Sequence, residues 1–97
     1  MNIIIVGCGS VGRTLAQKLG EDGNAVTIVD TSADKVARIT NRCDVMGVVG
    51  NGATYTVQRE AGIDTADLFI AVTNSDELNL LCCMVAKRKA TVKRLPV

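Results

Sequence analysis

The residues whose types and spacing suit chemistry best are Gly7-Cys8-Gly9-Ser10-Val11-Gly12, a G-x-G-x-x-G. Alone this pattern is a weak signal, but here its context agrees. It directly follows the apolar run Asn2 to Val6 and opens a helical pattern, and an acidic residue, Asp30, ends the next apolar run. Asp30 lies 18 residues after Gly12, close to the spacing of about 20 expected between such a loop and a ribose-binding carboxylate. Each glycine has a task. Gly7 allows a tight turn off a strand, Gly9 lets backbone approach a pyrophosphate, and Gly12 lets a helix pack closely on a sheet. The helix N-terminus then offers free N–H groups and partial positive charge to phosphates. The Asp30 carboxylate can accept from both hydroxyls of an adenine ribose and would repel a 2′-phosphate, which favours NAD over NADP. The competing reading is a glycine turn in a nucleotide-free domain, with Asp30 capping the next helix.

Other candidates have two readings each. Arg13 can reach a phosphate with a charge-assisted bond, or it is a solvated helix residue. Val72-Thr73-Asn74-Ser75-Asp76-Glu77 follows an apolar run. At the C-terminal edge of an open sheet it could hold a second ribose or a nicotinamide, or Asn74 and Glu77 could serve only as caps. Gly50, Asn51 and Gly52 border the adenine or simply turn the chain. Cys8, at a helix N-terminus, is placed where a thiolate is favoured, so it is either a redox-sensitive position or a small loop filler. The candidate contact set is therefore Gly7, Cys8, Gly9, Ser10, Val11, Gly12 and Arg13, then Asp30 and Thr31, Gly50 and Asn51, and Thr73, Asn74, Ser75 and Glu77. No catalytic and no metal-ligating residues are assigned.

The elements that must position these residues alternate. Asn2 to Val6 reads as a strand covered on both faces. Ser10 to about Leu19 reads as a helix with Val11, Leu15 and Leu19 on one face, ended by Gly20 and Gly23. Ala25 to Val29 is a second strand closed by Asp30. Thr31 or Ser32 caps a helix to Arg42 with Val36 and Ile39 inward. Val45 to Val49 is a third strand. A short helix then runs to Ala61, and Gly62 stops it. Leu68 to Val72 is a fourth strand. Asn74 with Glu77 forms a variant capping box for a last helix, with Leu78, Leu81 and Val85 buried and Arg88 and Lys89 in its last turn. Thr91 to Val97 holds a possible fifth strand, against which Pro96 and the pair Lys93-Arg94 count. This β-α-β-α-β-α-β-α order implies a Rossmann-like three-layer α/β/α fold on a parallel sheet, truncated relative to a full doubly wound domain. The expectation is one domain spanning residues 1–97.

Composition narrows the function classes. The chain has 97 residues, is 47% hydrophobic and 22% charged, and has a formal charge of +1, so bulk attraction to DNA or anionic lipid is not expected. The basic stretch Lys87 to Arg94 is a solvated helix end, or it touches a membrane surface or acidic partner. No aromatic residues interleave it, so no nucleic acid is expected. Four cysteines without a C-x-x-C pair, and no histidine, make a zinc site or disulfide framework unexpected. The lack of histidine also removes the commonest general base. No run is long enough for a membrane span or a signal-peptide core, so a cytosolic location is expected.

Four segments carry a resemblance to the KTN, or RCK, domains, the cytosolic regulatory domains of potassium uptake systems and of many potassium channels. They are Ile3 to Arg13, Ile28-Val29-Asp30, Gly50-Asn51-Gly52-Ala53-Thr54, and Ala71 to Asn79; the stretch Glu60 to Asp67 is also typical. The resemblance covers about residues 1–90. It implies a regulatory, non-enzymatic module that senses NAD(H), or ATP and ADP. It also implies homo-oligomers, as dimers or higher rings, beneath an integral-membrane potassium transporter or channel subunit at the inner face of the cell membrane. By the family pattern Gly7, Gly9, Gly12 and Arg13 face phosphates, Asp30 the ribose, and Thr73 to Glu77 the distal part of the nucleotide. The chain departs from the pattern at Asn51 and Gly52, where the family usually carries an acidic residue, and in stopping before the family's further strands and helices. The alternative is the cofactor-binding part of an NAD-dependent dehydrogenase, for which the chain offers no acid–base constellation.

Overall fold

A computed structural model describes the backbone of residues 1–89 and 93–96, and the side chains of residues 1–87. The elements run β1 (Asn2–Val6), α1 (Ser10–Glu21), β2 (Ala25–Asp30), α2 (Ala33–Arg42), β3 (Met46–Val49), α3 (Tyr55–Glu60), a 3-10 turn (Ile63–Thr65), β4 (Leu68–Ala71), α4 (Asp76–Lys89) and β5 (Lys93–Pro96). The five strands form one sheet in the order β3-β2-β1-β4-β5. Every pair is parallel, with Val6 in register with Val29 on one side and Ala71 on the other. The possible fifth strand is thus present, on the sheet edge, where a proline such as Pro96 is tolerated. The side chains of the basic stretch beyond Lys87 lie outside the described residues.

Strand alternation divides the core. Ile3, Ile5, Val26 and Ile28 pack with Ala16 and Ile39 on the side of α1 and α2. Ile4, Val6, Phe69 and Ala71 pack with Ile63, Cys82 and Ala86 on the side of α4. Both faces of β1 are covered, which is why Ile3 to Val6 has no polar alternation. The strand order reverses direction between β1 and β4, and a crevice opens there at the carboxyl ends of the strands.

Two helical faces differ from the sequence expectation. Val11 is 53% exposed, and α1 instead buries Gly12 and Ala16. The helix seats on its smallest residue: a Cβ at Gly12 would stand 1.8 Å from the Gly7 carbonyl oxygen. That contact rotates Val11 outward. Gly20 lies inside α1; the turn that ends it falls at Asp22 and Gly23, the latter with φ +87°. In α4 Leu81 is 48% exposed and Leu78 and Val85 are only half-buried. The buried positions are Asn79, Cys82, Cys83 and Ala86, whose i, i+3, i+4, i+7 spacing is a helix face of small residues. Small side chains let α4 approach α3, where the buried Gln58 donates from Nε2 to the carbonyls of Gly52 (2.8 Å) and Cys82 (3.0 Å). Val36 and Ile39 are buried in α2 as expected.

Candidate functional site

The candidate site is built where β1 ends. Gly7 has φ +112°, and a Cβ there would meet the Val72 carbonyl at 2.9 Å, so both conformation and packing demand glycine. Its N–H donates to Val29 O at 2.8 Å, and the Val72 N–H donates to Val6 O at 2.8 Å. The loop is therefore tied to β2 and β4 together. Gly9 is the N-cap of α1 with φ −80° and ψ −165°, and it makes no side-chain cap bond. Its backbone is one any residue adopts, and a Cβ there would have nothing within 4 Å. Nothing among the described residues requires Gly9 to be glycine. The space above it faces the first turn of α1, where helical N–H groups lack intrahelical acceptors and no acidic side chain sits in the first turn.

Asp30 does more than end β2. Its Oδ2 accepts from Cys8 N–H and its Oδ1 from Ser32 N–H, each at 2.8 Å. One carboxylate thus holds the glycine loop and the start of α2 in a fixed relation. A carboxylate has about four lone-pair positions, so it retains acceptor capacity for two hydroxyls. The cap of α2 is Ser32 rather than Thr31: its hydroxyl accepts from Lys35 N–H at 3.3 Å. This leaves Thr31 exposed on the cleft.

The cleft gathers Gly7, Cys8 and Gly9 from the loop, Asp30 and Thr31 at the end of β2, Gly50, Asn51 and Gly52 just after β3, and Thr73 and Asn74 just after β4, around about 170 Å³. Ser10 and Arg13 are not in it. They face a separate groove between α1 and α2, and Val11 lies with Ser10 on the outer surface of α1. The Arg13 Nε donates to Gly9 O at 3.3 Å. Asn51 lines the cleft while its Oδ1 accepts from Ala53 N–H at 2.9 Å to shape the turn.

Asn74 is not the cap of α4. Ser75 is: its hydroxyl oxygen accepts from Leu78 N–H at 3.1 Å, and the hydroxyl donates to Glu77 Oε2 at 3.2 Å. The helix starts one residue later than expected because the Thr73 hydroxyl accepts from Ser75 N–H at 3.2 Å and turns the chain once more. Ser75 therefore caps the helix and Glu77 accepts from its hydroxyl, while Asn74 is exposed beside the cleft. Two positioning residues escaped the sequence reading. Asn79, 2% exposed, accepts at Oδ1 from the Thr73 N–H (2.8 Å) and hydroxyl (2.7 Å), and its Nδ2 donates to the Thr73 carbonyl (3.2 Å). Its signal was a polar residue on the small-residue face of α4. Lys35, one turn into α2, lines the cleft near Asp30 and supplies a cation there.

Cys8 corrects the thiolate expectation. It is buried, and its thiol donates to Lys35 O at 3.4 Å. Burial, and then the Asp30 carboxylate, raise it above the ordinary 9.0, outweighing Arg13 and Lys35. The neutral thiol is therefore the resting form, and the helix N-terminus does not overcome desolvation. Iodoacetamide near pH 8 should modify the half-buried Cys43 well before Cys8, with Cys8 reacting only as the pH climbs past the ordinary thiol range. Mass spectrometry showing Cys8 alkylated first would contradict this.

The TrkA-N domain family profile matches residues 3–95. The chain belongs to the TrkA-N domain family. Curated relatives of this TrkA-N member include the Trk system potassium uptake protein TrkA of Halomonas elongata, 48% identical over 89% of this chain and 19% of that protein. A TrkA homolog of Methanothermobacter thermautotrophicus is 37% identical over 96% of this chain and 43% of its own length. The chain thus spans 19% of the length of the first of these. Among solved structures, the TrkA-N domain of the inner membrane protein ybaL from Escherichia coli superposes with a TM-score of 0.84 at 25% identity, covering 96% of this chain and 69% of that one. The GsuK channel bound to NAD superposes at 0.83 with 20% identity, covering 96% of this chain and 17% of the channel, a likeness of fold.

Proposed function

We propose that this chain is a regulatory nucleotide-sensing module of a potassium transport system, taking NAD(H) first and ATP or ADP second. The reading rests above all on Gly9, whose glycine identity neither its backbone conformation nor a protein neighbour requires; a pyrophosphate against the backbone would require it. Gly7 and Gly12 would hold the loop open to the phosphates, and Asp30, with Lys35 beside it, would take the ribose end. Gly50 and Asn51 would border the adenine, and Thr73 and Asn74 the distal part. The TrkA relatives support the link to potassium uptake, and the NAD named for the GsuK channel supports the ligand class.

The module would be a homo-oligomer docked at the inner face of the membrane against an integral-membrane potassium transporter or channel subunit. Support for self-association comes from the outer face of α4, where Leu80, Leu81 and Met84 are 55%, 48% and 62% exposed. Apolar side chains grouped on one helix face mark interaction surfaces. Among the described residues no helix is long and apolar enough to cross a membrane. A ligand shifts such a switch only by binding its two states differently. The two loops that converge on the cleft, after β1 and after β4, are the elements a nucleotide would bridge.

Isothermal titration with NAD, NADH, ATP and ADP in parallel tests the reading. Saturable binding is expected, and the rank order identifies the ligand. Absence of heat with all four on folded protein would overturn the assignment, and turnover of a hydroxy-acid substrate with NAD would favour the dehydrogenase alternative instead.

A further inference from the structure

Outside the cleft, a groove runs between α1 and α2. It has a volume of about 500 Å³ and takes its charge from Arg13, Arg38 and Arg42, with Ser10 and Thr14 as its hydroxyls. That volume lies within the roughly 300–1,000 Å³ range of small-molecule sites. No carboxylate lines the groove, and no ion pair among the described residues engages any of the three arginines. Asp34 stands one turn before Arg38 on α2 without pairing to it. Glu21 and Asp44 border the adjoining depression, which shares Arg42.

The placement of these charges is locally unfavourable. Arg38 and Arg42 are four residues apart on one helix, where like charges repel. Arg13 lies in the first turn of α1, at the positive end of the helix dipole, where an anion rather than a cation is stabilised. Arg42, in the last turn of α2, is the one member its own dipole favours. Three arginines lining one groove, two of them placed against local electrostatics, match a multiply charged anion. Guanidinium forks bind phosphate oxygens bidentately, and several forks suit several phosphates.

We propose that the α1/α2 groove is an oligophosphate-binding site, separate from the cleft that holds Asp30. Its ligand is a chain of two or more phosphates, either free or as the terminal phosphates of a nucleotide seated on the glycine loop. Ser10 and Arg13, where the loop passes into α1, join the two regions.

The test uses inorganic pyrophosphate, ATP and AMP titrated calorimetrically into the wild-type chain and the double variant Arg38→Gln with Arg42→Gln. Both arginines are exposed, and their removal relieves repulsion, so thermal melting of the variant should match the wild type. Pyrophosphate should bind the wild type and lose about tenfold or more in affinity in the variant, as expected for charge-assisted bonds. AMP, whose single phosphate stays on the loop, should be unaffected, and it reports on the nucleotide cleft alone. A parallel loss for ATP makes the terminal phosphates of a nucleotide the ligand; an unchanged ATP affinity makes it a free oligophosphate. Pyrophosphate that fails to bind the wild type, or that binds both proteins equally, would overturn the proposal.

Discussion

Replacing Gly9 with alanine should leave the chain folded and sharply reduce its affinity for nucleotide, whereas the same substitution at Gly12 should damage the fold itself. The contrast follows from what a methyl group would meet. At Gly12 a Cβ would lie 1.8 Å from the Gly7 carbonyl oxygen and 2.9 Å from its carbon. Backbone cannot swing aside as a side chain does, so α1 would have to lift from the sheet. Overpacking of this kind costs ~1–3 kcal/mol or more, which in a chain this small lowers Tm by roughly 4–24 °C. At Gly9 the same methyl meets open space, and φ −80° needs no glycine. Alanine is a poorer N-cap than glycine, so a stability change within ~1 kcal/mol is expected. If a pyrophosphate occupies that space, the methyl overpacks the complex instead, and ~1–3 kcal/mol corresponds to a loss of about 5- to 150-fold in Kd. Thermal melting beside calorimetric titration separates the two effects. A Gly9→Ala protein that binds nucleotide as tightly as the wild type would remove the main support for the phosphate loop.

Asp30→Ala should lower stability and ligand affinity together. The side chain accepts from the Cys8 and Ser32 amides at 2.8 Å, and its loss leaves the Cys8 N–H, in the half-buried loop, without that acceptor. Removing a charged acceptor from such donors costs ~1.5–3 kcal/mol. Weakened binding by Asp30→Ala therefore cannot by itself establish a ribose contact, since a loosened loop would weaken binding as well. Asn at this position separates the causes. It keeps an oxygen for one amide but replaces the other acceptor with a donor and removes the charge. Comparing NAD with NADP in the three proteins isolates the charge. The wild type should prefer NAD, because the carboxylate repels a 2′-phosphate, and Asp30→Asn should narrow that preference. An unchanged NAD-to-NADP ratio across the series would show that Asp30 acts only as a structural clamp.

Much of the architecture was legible without coordinates because it depends on local rules. The unbroken apolar run Ile3 to Val6, the glycines that follow it and the β-branched run ending at Asp30 specify a strand, a phosphate-type turn and a second parallel strand. They do so through hydrogen-bonding geometry and burial alone. The same holds for Ser32 and Gly62 as punctuation, since a cap or a left-handed residue acts within a few positions of itself. Hydrophobic periodicity was less reliable where helices are lined with small residues. Val11 and Leu81 looked inward by size, yet Gly12 and the Asn79, Cys82, Cys83, Ala86 face set the seating, because close approach of a helix is decided by what it meets across the interface.

The sequence by itself determined the strand–helix order, the parallel sheet, the glycine loop and the acid that ends β2, all of which follow from short-range spacing. Only the tertiary structure decided which residues share a cavity. It separated Ser10 and Arg13 from the cleft and brought Arg38 and Arg42 beside them. It drew the Cys8 amide onto Asp30, made Asn79 the clamp of Thr73, and turned Cys8 into a buried neutral thiol. Each of these outcomes depends on the distance between segments far apart in the chain and on how much water their packing excludes, and neither quantity is encoded in local residue spacing.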